Sequence, residues 1–198
     1  MATKLALFDF DGTITTKDTL LEIGKFYVGN TRFLINMFFL LPWLILLKAR
    51  LLVNWKVKEK YLSTFFGGLT DQQFEKICID FSKEIVPNIV RPKSIDTIRQ
   101  LQEKGFDVYI VSASATDWIR PWASLLNVSV LATELERKNG VITGKLEGKN
   151  CYGPEKVNKV NSIIDLKKYD EIFAYGDSSG DREMFTLASE THYKPFRN

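Results

Sequence analysis

Three short apolar runs, each stopped by a polar residue, frame the chain. They are KLALFDF at 4–10, DVYIVSAS at 107–114 and EIFAYGD at 171–177. Runs of this length, rich in branched and aromatic residues, read as buried strands. Between the second and third lies VLATELERKNGVITGKLEG, two alternating segments joined around Asn139-Gly140, which predicts a hairpin. RPKSIDTIRQLQEKG has apolar residues at Ile95, Ile98 and Leu101, with Gly105 placed to end a helix. Strand, helix, strand predicts a parallel sheet with right-handed crossovers, a Rossmann-like α/β core.

Residues 17–90 follow another rule. Helical periodicity runs through them with no strand alternation. Thr70-Asp71-Gln72-Gln73 reads as a capping box opening a helix to about Val86, where Pro87 stops it. The expected organisation is an α/β core from 1–16 and 91–198, interrupted by a helical cap at 17–90. Within the cap, FLINMFFLLPWLILL at 33–47 would make a helix of roughly 22 Å, short of the ~30 Å hydrocarbon core. Asn36 and Pro42 interrupt it further, so a full membrane span is not expected. Two readings stand: the core of the cap with an exposed apolar face, which the pattern favours slightly, or an interfacial helix whose flanking Lys48 and Arg50 meet anionic headgroups.

Composition narrows the chemistry. A chain of 198 residues, 45% hydrophobic, can bury a core without covalent or metal staples. Cys78 and Cys151 form no CxxC pair and read as buried thiols in a reducing cytoplasm, and the N-terminus has no signal-peptide pattern. His192 is the sole histidine, which leaves no Ser/His/Asp triad or multi-histidine zinc site and puts any hydrolysis on carboxylates. Between Lys17 and Lys60, eight basic side chains face three acidic ones, a net of +5. A solvated helical surface accounts for any one of them; together they fit an anionic substrate or an anionic membrane surface. Nucleic acid is not an expected partner, because neither a strand-borne aromatic motif nor a long basic tract is present. Oligomeric state leaves no trace in the sequence.

The three strand runs end in Asp9 and Asp11, in Ser112, and in Asp177. In an open parallel sheet such ends lie side by side in the crevice where ligands bind. Alternation points Asp9 and Asp11 to one side, two like charges that call for a cation. With Asp177 they make an oxygen-rich pocket suited to Mg²⁺. A carboxylate nucleophile beside a metal suits phosphoryl transfer. Lys156, in the first turn of a helix opened by Pro154, could join free N–H groups in holding an anion, and Ser112 offers a hydroxyl. Each feature alone has a plainer reading: a solvated turn, a strand-end cap, an exposed lysine, a helix start at GDSSGDREM. Their order along one chain favours one site.

FDFDGT, VSAS, GPEK and YGDSSGDREM, in that order, resemble the four motifs of the haloacid dehalogenase (HAD) superfamily of phosphohydrolases. The likeness covers almost the whole chain. It implies that Asp9 is the nucleophile and Asp11 the general acid/base. It also implies that Ser112 and Lys156 hold the phosphoryl group, and that Mg²⁺ sits on Asp9, the carbonyl of Asp11 and Asp177, with Asp181 supporting. The dehalogenases of the superfamily lack the second aspartate, so Asp11 implies a phosphatase. The helical insertion resembles the cap of subfamily IB, which contains phosphoserine phosphatase. There Asp18 stands in place of an acidic substrate-binding glutamate, and Gly180 in place of an asparagine. The apolar cap helix, CYGPEKV and HYKPFR are similar to the type C phosphatidylglycerophosphatases. The resemblance therefore implies a Mg²⁺-dependent hydrolase of a small or lipid phosphomonoester, cytoplasmic, with peripheral contact at the inner membrane face open. The alternatives are a phosphoserine phosphatase or phosphotransferase of the same superfamily, or a non-catalytic phosphate-binding or membrane-docking module.

Overall fold

The protein is described here by a computed structural model covering residues 3–197. Strand β1 (Lys4–Phe8) lies between β2 (Phe106–Ala115) and β5 (Glu171–Gly176), parallel to both. β3 (Ser129–Lys138) continues the sheet beyond β2, and β6 (Glu190–Tyr193) beyond β5, again parallel. β4 (Val141–Glu147) returns antiparallel to β3 through the Asn139-Gly140 turn and forms one edge, giving the order β4-β3-β2-β1-β5-β6. Strand order runs both ways from β1, so the crevice beyond its C-terminal end is the switch point of the topology.

β1 is apolar throughout because both sheet faces are covered. Ala6 and Phe8 join the cluster containing Ile98 and Leu101 of α5 (Pro92–Glu103) and Trp118 and Trp122 of α6 (Thr116–Ala123). Leu5 and Leu7 face the other way, onto Val160 of α7 (Pro154–Ile163) and Met184 of α8 (Arg182–Phe185).

After β1 the chain builds a helical insertion of α1 (Thr19–Lys48), α2 (Asn54–Phe66), α3 (Asp71–Glu84) and α4 (Val86–Ile89). Its two ends run side by side. Thr15 bridges Val90, and Arg91 N–H donates to the Ile14 carbonyl at 2.8 Å. The capping box is present as expected, with Thr70 and Gln73 exchanging bonds. Pro87 does not act as a stop: α3 ends at Glu84, and the proline occupies the first turn of α4, where its missing N–H costs nothing. The hairpin does more than close the sheet edge, since Gly68 N–H donates to Ile142 and Ile142 N–H to Leu69. Gly144 (φ +83°) lets α2 approach β4 so closely that a Cβ there would lie 2.3 Å from the Ser63 Cα.

The segment 33–47 carries the exposed apolar face of the favoured reading but supplies little of the core. It lies in a 30-residue helix interrupted at Gly29 (φ +76°), and it is not the core of the insertion. Leu40 is buried, whereas Leu34, Phe38, Phe39 and Ile45 are all more than 60% exposed. The interior of the insertion is instead built from α2 and α3, through Leu62, Phe65, Phe66, Phe74 and Phe81.

Candidate active site

The turn after β1 departs from helical geometry at Asp11 (φ −71°, ψ 123°) and Gly12 (φ +80°). Phe10 is buried in the core, while Asp9 and Asp11 line one cavity of about 410 Å³ between the sheet end and the insertion. Gly12 is required here, because its left-handed φ places the backbone against Asp177 and a Cβ would meet the Asp177 Oδ2 at 2.5 Å. Ser112, Lys156, Asp177 and Asp181 line the same cavity.

Lys156 organises the centre. Its Nζ is 2.6 Å from both Asp9 Oδ1 and Asp181 Oδ1, all three groups being buried. Burial opposes the lysine's charge, but Asp9 and Asp181 outweigh it and raise its pKa above the ordinary lysine value. Burial pushes the Asp9 carboxyl up to about 7 in spite of the ammonium beside it. In Asp181, burial is outweighed by Lys156 and the bonds from Ser178, which hold the carboxyl below its usual range. Asp181 Oδ2 also accepts from the N–H groups of Asp177 and Ser178 and from the Ser178 hydroxyl, so it fixes the loop that presents Asp177. The free N–H groups expected at the start of α7 are already used: Glu155 and Lys156 N–H bond the carbonyls of Tyr152 and Gly153. The lysine therefore contributes its ammonium, not its backbone.

Asp11 faces the insertion. Its Oδ1 accepts from the N–H and hydroxyl of Thr19, both at 2.7 Å, and its Oδ2 from the Ser114 hydroxyl. Thr19 is held in turn by the Trp118 indole N–H at 3.1 Å. Burial, then the charge of Asp18, raise the Asp11 carboxyl to about 6 against those hydrogen bonds. Asp18 lines the cavity, but its Oδ1 caps α1 by accepting from Leu20 and Leu21 N–H. Ser112 is buried where the β2–β3 register shifts, and its hydroxyl oxygen accepts from Ser114 N–H.

Carboxylate oxygens of Asp9, Asp177 and Asp181 lie within 4.8 Å of one another. Burial raises Asp177 even with the guanidinium of Arg197 bonded to it. Crowded, desolvated oxygens of this kind fit a hard divalent cation. The Asp11 carboxylate is not in this group, its oxygens being taken by Thr19 and Ser114.

Lys58 was not separable by sequence from the cationic surface of the insertion. It is buried, lines the cavity, and donates to the Ala113 carbonyl and to Asn150 Oδ1 at 2.9 Å. Burial lowers it to about 8, against the pull of Asp11 and Asp18. Thr13, which donates to Asp9 Oδ2 at 3.1 Å, and Thr19 were missed as well. Only FDFDGT pointed at Thr13, and nothing local pointed at the others.

The family model for haloacid dehalogenase-like hydrolases (HAD) matches residues 6–186. The chain belongs to that family. It is 34% identical over 197 residues to Protein CicA of Caulobacter vibrioides, covering 98% of this chain and 86% of that one. A crystal structure of a protein of unknown function from Bordetella pertussis superposes with a TM-score of 0.84 at 20% identity, covering 96% and 89% of the two chains. A phospho-aspartyl intermediate analogue of phosphoserine phosphatase superposes with a TM-score of 0.62 at 24% identity, covering 96% and 86%. In this HAD chain, the residues of all four motifs border one cavity.

Proposed function

We propose that this HAD hydrolase is a Mg²⁺-dependent phosphomonoesterase working through a phosphoryl-aspartate on Asp9. The observation that carries the reading is the buried Asp9–Lys156–Asp181 triplet, with a second, separately held carboxyl, Asp11, on the same cavity wall. A carboxylate of Asp9 attacks phosphorus and the bond to the ester oxygen breaks. Asp11, raised to about 6 and so still protonated in a fraction of molecules just below neutrality, gives its proton to the departing oxygen. It then takes a proton from the water that attacks the phosphoryl-aspartate, releasing inorganic phosphate and restoring Asp9. A value of about 6, well above that of an ordinary carboxyl, suits one group to both tasks. Thr19 and Ser114 hold it at the mouth of the insertion, where a leaving group would sit. Lys156 and the Ser112 hydroxyl are placed to take phosphoryl oxygens. Asp9, Asp177 and the backbone of Asp11 would hold Mg²⁺, with Asp181 fixing the Asp177 loop; the ion would neutralise charge on the phosphoryl oxygens.

The leaving group is read as partly apolar, because Leu20, Leu21, Met37, Leu40, Leu44 and Leu47, all on α1, line the cavity. Lys58 uses two of its three N–H groups on the protein, and the third is left for an acceptor on the substrate. Phosphotransfer to a second acceptor would use the same geometry, and product analysis separates the two. The direct test is hydrolysis of p-nitrophenyl phosphate with Mg²⁺ and after chelation. Release of phosphate that depends on Mg²⁺ and on Asp9 supports the reading; full activity in a chelated sample, or in Asp9→Asn, defeats it.

A further inference from the structure

The second half of α1 is apolar on every side but for Asn36, and only one side of it meets the protein. Met37, Leu40, Leu44 and Leu47 wall the cavity, and Phe33 packs on Phe65 with ring centroids 5.6 Å apart. On the other side Leu34, Ile35, Phe38, Phe39, Leu41 and Ile45 are between 44% and 69% exposed, and Leu51 and Val53 continue the patch into the following turn. Scattered exposed leucines are ordinary; an adjoining set of this size marks a surface that something covers.

We propose that this outer face of α1 docks onto an anionic lipid bilayer, lying flat in its interface. The rim supplies the charge that such a surface selects. No charged residue falls between Arg32 and Lys48, and Lys48, Arg50, Lys56 and Lys60 follow, with Glu59 the lone acid among them. Lys60 sits 5.8 Å from the Trp43 ring and Lys56 5.6 Å from the Trp55 ring. Aromatic and cationic groups side by side around a convex apolar centre match the headgroup level of a membrane. A second copy fits poorly, because a two-fold contact sets this cationic rim against itself. By length and composition α1 could cross a membrane. Doing so would strip the cavity of its wall and pull Phe33 off Phe65, so the helix lies along the surface instead. Docking draws on none of the catalytic groups and stands apart from the reaction.

The experiment is sedimentation of the full chain with vesicles of phosphatidylcholine alone or mixed with phosphatidylglycerol, at low and high salt, alongside light scattering of the free protein. Binding to the mixed vesicles, released by salt and weak on the neutral ones, supports docking. Lys48→Glu with Arg50→Glu should weaken binding by roughly 30-fold or more, since each basic residue near the surface contributes ~1 kcal/mol. Phe38→Ser with Phe39→Ser should abolish it, both pairs leaving p-nitrophenyl phosphate hydrolysis unchanged. Three results overturn the proposal. These are a protein that stays in the supernatant with every vesicle, a pellet that resists salt and alkaline carbonate as a spanning helix would, and a stable dimer that the Phe38/Phe39 substitutions dissociate. Loss of hydrolysis with docking intact would fault the catalytic reading alone.

Discussion

Asp9 is buried where its own charge is opposed, and this sets what its replacement should do. With the folded value near 7 and the ordinary value 3.8, the native state holds a proton between those limits that the unfolded chain has released. Stability therefore falls as pH rises from about 4 to about 7, and the full cost applies above that. Metal-free Asp9→Asn should have no turnover, yet unfold at or above the parent's temperature at pH 8, with the gap narrowing toward pH 5. Calorimetry of chelated samples checks this, and a markedly less stable variant at pH 8 would mean that the pairing with Lys156 outweighs desolvation. Asp11→Asn should differ in kind. General acid assistance is worth ~10²–10⁴-fold and matters little when the leaving oxygen is already a weak base. The loss should thus be smaller on p-nitrophenyl phosphate than on an alkyl phosphate; equal losses on the two would count against Asp11 as the acid. The carboxylates of both aspartates were legible because they sit in a contiguous motif. Lys58 was not, since its sequence neighbours Lys56 and Lys60 have the same composition and face outward, and burial comes from packing 55 residues away against Ala113.

At the scale of elements, local signals were sufficient wherever one stretch of chain determines its own structure. The three strands, the α5 helix with Gly105 just past its end, the Thr70 cap and the Asn139-Gly140 turn all formed as their residues dictate. Readings failed where a distant partner decides. β6 has exposed, weakly patterned residues and is a strand because Tyr175 and Gly176 offer an edge. Pro87 could not be told from a stop without knowing that α3 would end three residues earlier, at Glu84. The seat of the insertion is likewise non-local, and it can be tested at Gly144. Ala there would need φ +83° and a Cβ overlapping the α2 backbone at Ser63. Gly144→Ala should cost ~1–3 kcal/mol in urea unfolding and raise KM by loosening the cavity wall that α2 carries. Unchanged stability would mean that the hairpin does not seat α2.

The whole molecule places a chemical centre at the sheet end under a wall made by the insertion, to which Asp18 and Lys58 bring charge and α1 an apolar stripe. The strand ends and the loops after them contribute Asp9, Ser112, Asp177 and Asp181, and α7 contributes Lys156, all polar, whereas α1 contributes Met37, Leu40, Leu44 and Leu47. This division was invisible in sequence, because the same apolar segment would serve a packed core equally well; only the fold shows that its inner stripe borders the cavity and its outer stripe does not. The inner stripe predicts selectivity for substrate length. Each methylene buried against it is worth up to ~0.8 kcal/mol, or at most about fourfold in kcat/KM per carbon. A series of straight-chain alkyl phosphates should therefore gain in kcat/KM with each added carbon until the wall is used up. Most of the gain should fall in KM, since the tail is bound alike in the ground and transition states. Leu44→Asn should flatten the series while leaving the shortest ester unaffected, because none of Asp9, Ser112 and Lys156 is carried by α1. A series that is flat in the parent enzyme, or that falls with length, would show that the apolar wall does not meet the substrate, and a compact polar phosphomonoester would take its place.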